Sequence, residues 1–529
     1  MQVGRLVSLC AFLTIHCADA SSLYRRQGSY NATNSTTTCQ KTSVAILGAG
    51  MAGITAAQGL TNNSVTDFLI VEYNSDIGGR VAHTTFGVPN NSYTIELGAN
   101  WVQGIATPPG PENPIWTLAQ LYNLTNTYSN YSSLETFNQD GATDYTGLID
   151  DFDNAYSTVE EQAGYILTQN LQDMSFRSAL SLAGWKPGTD MEAQTVEWWE
   201  FDFEYGYNPE QSSDLFAIVN YNTTFYQYSD ANNYVFDSRG YNFIIKETAA
   251  TFLQPNDTRL LLDTVVTNIS YSDTGVTVYN QDGSCIDADY AICTFSVGVL
   301  QSDAITFSPE LPYWKQMGIE TFTMATYTKI FLQFPPDQVF WNKSYQYFLY
   351  ADPDQRGYYP VFQSLDGPGF LPGSGIIFVT VTQDQSYQVA AQDDATTQAQ
   401  VMAVLRSMFG ADIPDPIAFM YPRWSLIPWA YGSYSNWPTG TTLEMHQNLR
   451  ANVGRLYFAG EATSTEYYGF LHGAFFEGQA VAEQIADCIT TGTNCSGEVD
   501  YPVLHGTTPY SEYDEANGWM VSSFLDYGF

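Results

Sequence analysis

Positive charge is what this sequence has least of. Its 529 residues carry 18 Lys and Arg against 56 Asp and Glu, a formal net charge of −38. Removing residues 1–20 would take away Arg5 and Asp19 together and leave that balance unchanged. A chain this acidic repels polyphosphates, which excludes nucleic acid as a partner. It draws cationic ligands, but an acidic surface equally keeps a protein soluble, so charge alone names no substrate. Cysteine is also scarce: of seven, Cys10 and Cys17 lie in the first twenty residues, leaving an odd number. No Cys/His spacing forms a ligand set, so no metal site is expected. Cys488 and Cys495 flank a predicted helix end and are the expected disulfide. Cys293, in the apolar run Tyr290–Cys293, is expected as a buried thiol, and Cys39 and Cys285 have no assignment. No apolar run reaches the length of a membrane span. There is no internal repeat.

What is present supports a large folded chain. Hydrophobic residues make up 44% and aromatic residues 15%, enough for a sizeable core, and the length suggests two domains, interleaved or with large insertions. Arg5, the apolar stretch Leu6–Cys17 and the small-x-small site Ala18-Asp19-Ala20 predict a signal peptide over 1–20. Residues 21–41 are polar, expected to be flexible, and contain the dibasic pair Arg25-Arg26, which fits a propeptide. Sequons begin at Asn31, Asn34, Asn62, Asn90, Asn123, Asn130, Asn222, Asn256, Asn268, Asn342 and Asn494. With the leader, they predict a secreted glycoprotein.

The first ordered pattern is strand, glycine turn, helix, strand. Val44–Leu47 is an apolar run, Ile54–Leu60 has helical character, and Phe68–Val71 is the next strand. The turn Gly48-Ala-Gly50-Met-Ala52-Gly53 fits G-x-G-x-x-G. Gly48 permits the tight turn, Gly50 lets backbone N–H groups approach a pyrophosphate, and Gly53 lets helix pack on strand. Glu72 ends the second strand, 19 residues after Gly53, placed to accept hydrogen bonds from a ribose. Gly78-Gly79-Arg80 follows: a second glycine pair and a cation able to meet a phosphate. The motif by itself does not distinguish NAD from FAD. Further along, helices are expected over 148–172 and 396–409, strands over 259–299, and a strand, turn and long helix over 455–489.

The string VEYNSDIGGR resembles the flavin amine oxidases, and the resemblance extends from about Val44 to Cys495, nearest to the secreted plant and fungal polyamine oxidases. ELGANWVQG (Glu96–Gly104), GSYSNWPTG (Gly432–Gly440) and YFAGEATSTEYYGFLHGAFFEG (Tyr457–Gly478) are similar to that family's flavin-lining segments. The resemblance implies an α/β fold in which a Rossmann-like FAD-binding domain (42–125, 231–325, 421–498) is interleaved with an α+β substrate domain (126–230, 326–420), followed by a tail over 499–529. It implies that Glu72, Arg80, Gly98, Asn100, Trp101, Val266, Gly460 and Glu461 contact FAD alongside the glycines already named. Gly432-Ser433-Tyr434 stands near where some relatives attach flavin to a cysteine, so the FAD is expected to be non-covalent.

Lys329 sits in the middle of MATYTKIFLQF (Met324–Phe334), which reads as a strand. An edge position or a snorkelling side chain would explain it without function. The resemblance implies a catalytic role instead: a lysine facing the flavin, holding water, with its pKa lowered by burial. It implies oxidation of a small cationic amine by hydride transfer to flavin N5, imine hydrolysis, and reduction of O₂ to peroxide. The protein would work as a monomer or small oligomer, away from membranes. Tyr205 and Tyr467 would sandwich the substrate, and Glu204 would face it. Without the resemblance these are packing tyrosines and a surface glutamate. Gln103 departs from the plant pattern, where a second acid stands, which leaves the choice of amine open. A carboxylate-binding arginine, for which Arg423 is the candidate, would instead mark an L-amino acid oxidase. A third reading, a glycoprotein carrying FAD without turnover, has Lys329 and the tyrosines against it.

Overall fold

In the computed structural model the apolar run at Val44 becomes the inner strand of the largest sheet. Residues 38–492 are described, apart from 106–111, 170 and 226. The predicted leader, most of the 21–41 segment, the sequons at Asn31, Asn34 and Asn494, and the 499–529 tail lie outside them. Strand β1 (Gln40–Leu47) leads through the glycine turn into helix α1 (Met51–Asn62) and back into strand β2 (Phe68–Val71). β1 pairs in parallel with β2 on one side and with Cys285–Cys293 on the other. All four residues of β2 are buried, as a parallel strand covered on both faces requires. The sheet has eight strands, with Leu260–Leu261, Val276–Asn280, Val266–Tyr271, Thr306–Ser308 and Leu456–Phe458 completing it. The helix Leu471–Thr491 packs along α1, where the Thr55 hydroxyl donates to the Phe475 carbonyl at 3.2 Å.

A seven-stranded sheet is drawn from other stretches: Ala418–Met420, Tyr327–Gln333, Ile376–Thr382, Val361–Ser364, Tyr347–Tyr350, Leu134–Asn138 and Gly141–Ala142, in that order. Segments of the chain thus alternate between the two sheets. Tyr327–Gln333 is buried at every position and paired on both sides, Lys329 lying opposite Thr380 of one neighbour. This removes the edge-strand and snorkelling explanations for its lysine. The helices read from periodicity are present as Gly147–Thr168 and Asp394–Phe409.

The cysteine assignment changes. Cys39 and Cys285, unassigned from sequence, form a disulfide across 246 residues, tying the start of β1's segment to the strand it pairs with. Cys488 is also disulfide-bonded, and its expected partner Cys495 lies outside the described residues. Cys293 is a buried thiol, and burial pushes it up to about 12.

Candidate active site

Gly48 occupies the left-handed region (φ 111°), and a Cβ there would meet the Thr294 hydroxyl at 2.3 Å. A Cβ on Gly53 would strike the Gly48 carbonyl oxygen at 1.9 Å, so helix and turn approach as closely as the motif predicts. Gly50 is the N-cap of α1 and bridges to Gly78, so the two glycine turns abut. The α1 N-terminus carries no acidic side chain in its first turn and directs its positive end at this junction. Glu72 accepts the Ala49 N–H at 2.7 Å and the Asn74 N–H at 2.9 Å, fixed at the end of β2. Burial raises its carboxyl, and those hydrogen bonds lower it in part.

From this junction a cavity of about 450 Å³ runs past both sheets. At one end it is lined by Gly48, Gly50, Ala52, Glu72, Gly79, Arg80 and Val266; at the other by Trp101, Gln103, Phe203, Glu204, Tyr205 and Tyr434. Arg80 donates to Glu461 at 2.7 Å and to the Ser433 carbonyl at 3.1 Å. Glu461 also accepts the Ser435 hydroxyl at 2.6 Å and the Gly469 N–H at 2.7 Å. Gly460 and Glu461 both line the cavity. The residues expected to hold a dinucleotide are therefore together, and Arg80 and Glu461 are joined directly.

Lys329 is 1% exposed and stands behind the wall. Its Nζ donates to the Gly98 carbonyl at 2.7 Å and to the Asn100 Oδ1, both on cavity-lining residues. Burial lowers it to about 7, against the attraction of Glu96. Asn100 Nδ2 is buried with no partner, a donor left over at the wall.

Glu204 is half-buried, not the surface glutamate that the acidic run allowed. It lines the cavity, and its carboxylate accepts the Gln103 Nε2–H at 3.2 Å. Burial raises it to about 7. Tyr205 also lines the cavity, with its ring stacked on Phe201 at 4.4 Å and its hydroxyl donating to the Ala217 carbonyl at 2.9 Å. Tyr467 does not line it. After the short helix Glu461–Thr463 the Tyr467 N–H donates to Ser464 Oγ, and its hydroxyl donates to Gln227 at 2.9 Å. Its neighbour Tyr468 faces the cavity instead, alongside Phe470. Tyr434, within the segment expected to line the flavin, donates its hydroxyl to the Glu204 carbonyl at 2.9 Å, and the sequence reading missed Trp424 and Trp429, which also line the cavity. Only aromatic enrichment could have pointed to them, and this chain is aromatic throughout.

The lining fits FAD. A glycine cradle that Cβ atoms would fill, a fixed ribose-binding acid at a strand end, a helix N-terminus and an unpartnered amide donor are all on one continuous surface. No cysteine is among the lining residues described. Arg423 is not among them either. It donates to Asp394 and to the Ala390 and Gln392 carbonyls.

Comparison with known proteins agrees with this geometry. Residues 51–486 match the family model described as flavin containing amine oxidoreductase. The chain is 37% identical to Polyamine oxidase 1 of Zea mays over 468 residues, 84% of this chain and 90% of that one. Polyamine oxidase 7 of Oryza sativa subsp. japonica is 38% identical, covering 82% and 93%. Among solved structures, a putrescine oxidase bound to putrescine superimposes with a TM-score of 0.65 at 17% identity, covering 85% of this chain and 99% of that one, a likeness of fold.

Proposed function

Because the chain belongs to the flavin-containing amine oxidoreductase family and is an FAD-dependent amine oxidase, we propose that its substrate is a small cationic amine of the polyamine class, oxidised outside the cell. The observation that carries this is Glu204. Three carboxylates line the cavity: backbone and side-chain amides hold Glu72, Arg80 holds Glu461, and Glu204 has no cation against it among the described residues. A buried carboxylate without a counter-ion is costly, and an ammonium removes that cost.

When bound, FAD would supply the two-electron redox chemistry of amine oxidation, with O₂ as the final acceptor and peroxide as its product. Gly48, Gly50, Gly53, Glu72, Gly79, Arg80, Val266 and Glu461 would hold it, without a covalent link. Glu204 binds the substrate's distal ammonium, while Phe203, Tyr205 and Tyr434 bound the chain between charges with aromatic faces, each worth ~0.5–2 kcal/mol to a cation. This seating orients the reacting C–H bond. Lys329 Nζ, lowered to about 7 by burial, can hold or release a proton at the wall and place the water that hydrolyses the substrate imine.

The amino acid oxidase reading has lost its cation, since Arg423 is engaged away from the cavity and Arg80 is paired with Glu461. Export is supported by the leader pattern, the sequons and the Cys39–Cys285 disulfide, a bond suited to an oxidising compartment. The test is a panel of monoamines, diamines, polyamines and L-amino acids with a peroxide readout and product identification. A yellow protein forming peroxide with di- and polyamines is expected. Peroxide with amino acids alone, or a yellow protein inert to every amine, would overturn the proposal.

A further inference from the structure

Glu204 reaches the cavity from a helix that changes pitch just before it. The chain is helical without a break from Met191 to Tyr205, but Trp198–Asp202 is a π turn set between the α-helical stretches Met191–Glu197 and Phe203–Tyr205. A π turn closes its hydrogen bonds from i to i+5, a rare geometry that takes in one extra residue. One added residue rotates everything after it by about 100° around the helix axis. The next three residues, Phe203, Glu204 and Tyr205, all line the cavity. The pitch of this turn therefore decides which side chains face the substrate.

One arginine grips both ends of the turn. Arg356 donates to the two Asp202 oxygens at 2.8 and 2.7 Å, and to Glu197 Oε1 at 3.3 Å. Glu197 is the residue before the turn and Asp202 its last, five positions apart. In an α-helix such residues point about 140° away from each other, whereas a π turn brings i and i+5 into line. A guanidinium holding both carboxylates thus favours the π form. Arg356 comes from outside the helix, on the loop between strands Tyr347–Tyr350 and Val361–Ser364. Asp352 shapes that loop by accepting the Asp354 and Gln355 N–H groups at 3.0 and 2.9 Å. The loop is pressed on the turn, since a Cβ on Gly357 would meet Trp198 Nε1 at 3.1 Å. Glu197 is held further by Arg177 and by the Trp185 indole N–H at 2.8 Å. With Glu197 and Asp202 1% and 2% exposed, two buried carboxylates are matched by two guanidiniums. None of these four charged residues lines the cavity.

We propose that Arg356 is a positioning residue: by drawing Glu197 and Asp202 together it selects the π turn, and the turn aims Glu204 into the cavity. The far side of the short helix is fixed as well. Gly206 ends it at φ 62°, and the Glu204 carbonyl accepts the Tyr434 hydroxyl, so a change of pitch at the turn is passed on to Glu204. What Glu204 does for a cationic substrate rests on the amine-oxidase reading; the hold of Arg356 on the turn does not.

The test uses the FAD-loaded protein carrying Arg356→Leu, followed with a diamine. KM should rise about tenfold or more while kcat stays within about threefold, the signature of lost substrate binding, and FAD content should be unchanged. In a Glu204→Gln background the same change should add less than about twofold to KM, because there is no carboxylate left to aim. A fall in kcat at unchanged KM, or the full added loss in that background, would make Arg356 a general support of the fold and overturn the proposal. Asp202→Asn is the milder cut, since Arg356 stays on Glu197. Should Arg356→Leu fail to fold, Asp202→Asn decides: a KM raised about threefold is expected, and an unchanged KM would overturn the proposal. If Glu204→Gln alone leaves the diamine KM unchanged, the substrate reading falls, and a crystal structure of either variant then decides this one. A relaxed 198–202 turn with Glu204 moved off Gln103 would support it. A retained π turn with Glu204 still on Gln103 would overturn it.

Discussion

Gln103 donates its side-chain N–H to the Glu204 carboxylate across 3.2 Å, so the neighbour of the cavity's cation-free acid is a neutral amide. Gln103→Glu would set two carboxylates in contact. Both cannot ionise cheaply until a polycation arrives to separate them. The gain should therefore appear with substrates carrying several ammonium groups. An added attraction of ~1.4 kcal/mol corresponds to about a tenfold fall in KM. The expected result is a KM for tri- and tetra-amines lowered by about that factor at low salt, shrinking at high salt, with monoamines unaffected. Equal KM values for both proteins at low salt would show that Gln103 does not face the distal charge.

Glu204 also imposes a pH dependence. Burial raises its carboxyl to about 7, so it is protonated and neutral below that pH and anionic above it. Attraction for a cationic substrate is present above about 7 and fades as pH falls. KM for a diamine should rise on the acid side, by up to about tenfold per pH unit, because only the ionised fraction binds. In Glu204→Gln the same plot should be flat and high. A wild-type KM constant from pH 5 to 8 would refute this.

The nucleotide end of the site was legible because its constraints are local. Gly53 meets the Gly48 carbonyl and Glu72 meets the Ala49 N–H within one strand–turn–helix–strand unit, and spacing reports such contacts directly. The chemical end was not local. Lys329 was visible as an anomaly, a cation in a strand, but whether that strand lies inside or at an edge depends on pairings with Ile376–Thr382 and Ala418–Met420. The Cys39–Cys285 pairing was hidden by its separation of 246 residues. At the tyrosine pair the turn closed at Gly469, with φ 81°, puts Tyr468 among the cavity-lining residues and the Tyr467 hydroxyl on Gln227. No periodicity in sequence encodes that rotation.

Lys329→Met removes the donor to Gly98 and Asn100 while keeping a long apolar stem in the strand. The nucleotide cradle is untouched, so FAD content measured by absorbance should match the wild type. Flavin reduction or reoxidation in the stopped flow should slow by at least ~100-fold, the range of a positioned proton-transfer group. Two uncharged acceptors lose a partner, but a costly buried cation is lost with them, so the melting temperature should change little. Wild-type rates for both half-reactions would remove Lys329 from the chemistry.

Sequons differ in what folding leaves open to a glycan. Asn90, Asn123 and Asn256 all adopt positive φ in exposed turns. Asn342 is exposed, and its Oδ1 accepts both the N–H and the hydroxyl of Ser344, the sequon's own serine, so the acceptor triplet is already looped outward. Asn222 is 3% exposed within the helix Asp214–Phe225, and Thr224 of the same triplet is bonded to His472. A glycan there would have to unseat that helix and its buried contacts. In protein recovered from the medium of a eukaryotic host, glycopeptide mapping should find sugar on Asn90, Asn123, Asn256 and Asn342 and none on Asn222. Replacing Asn342 with Gln should remove one glycan's mass and leave oxidation unchanged, since that residue is not among those that line the cavity. Sugar on Asn222 in active enzyme would contradict the packing of that helix. An unglycosylated secreted product would show that the exposed turns are not used.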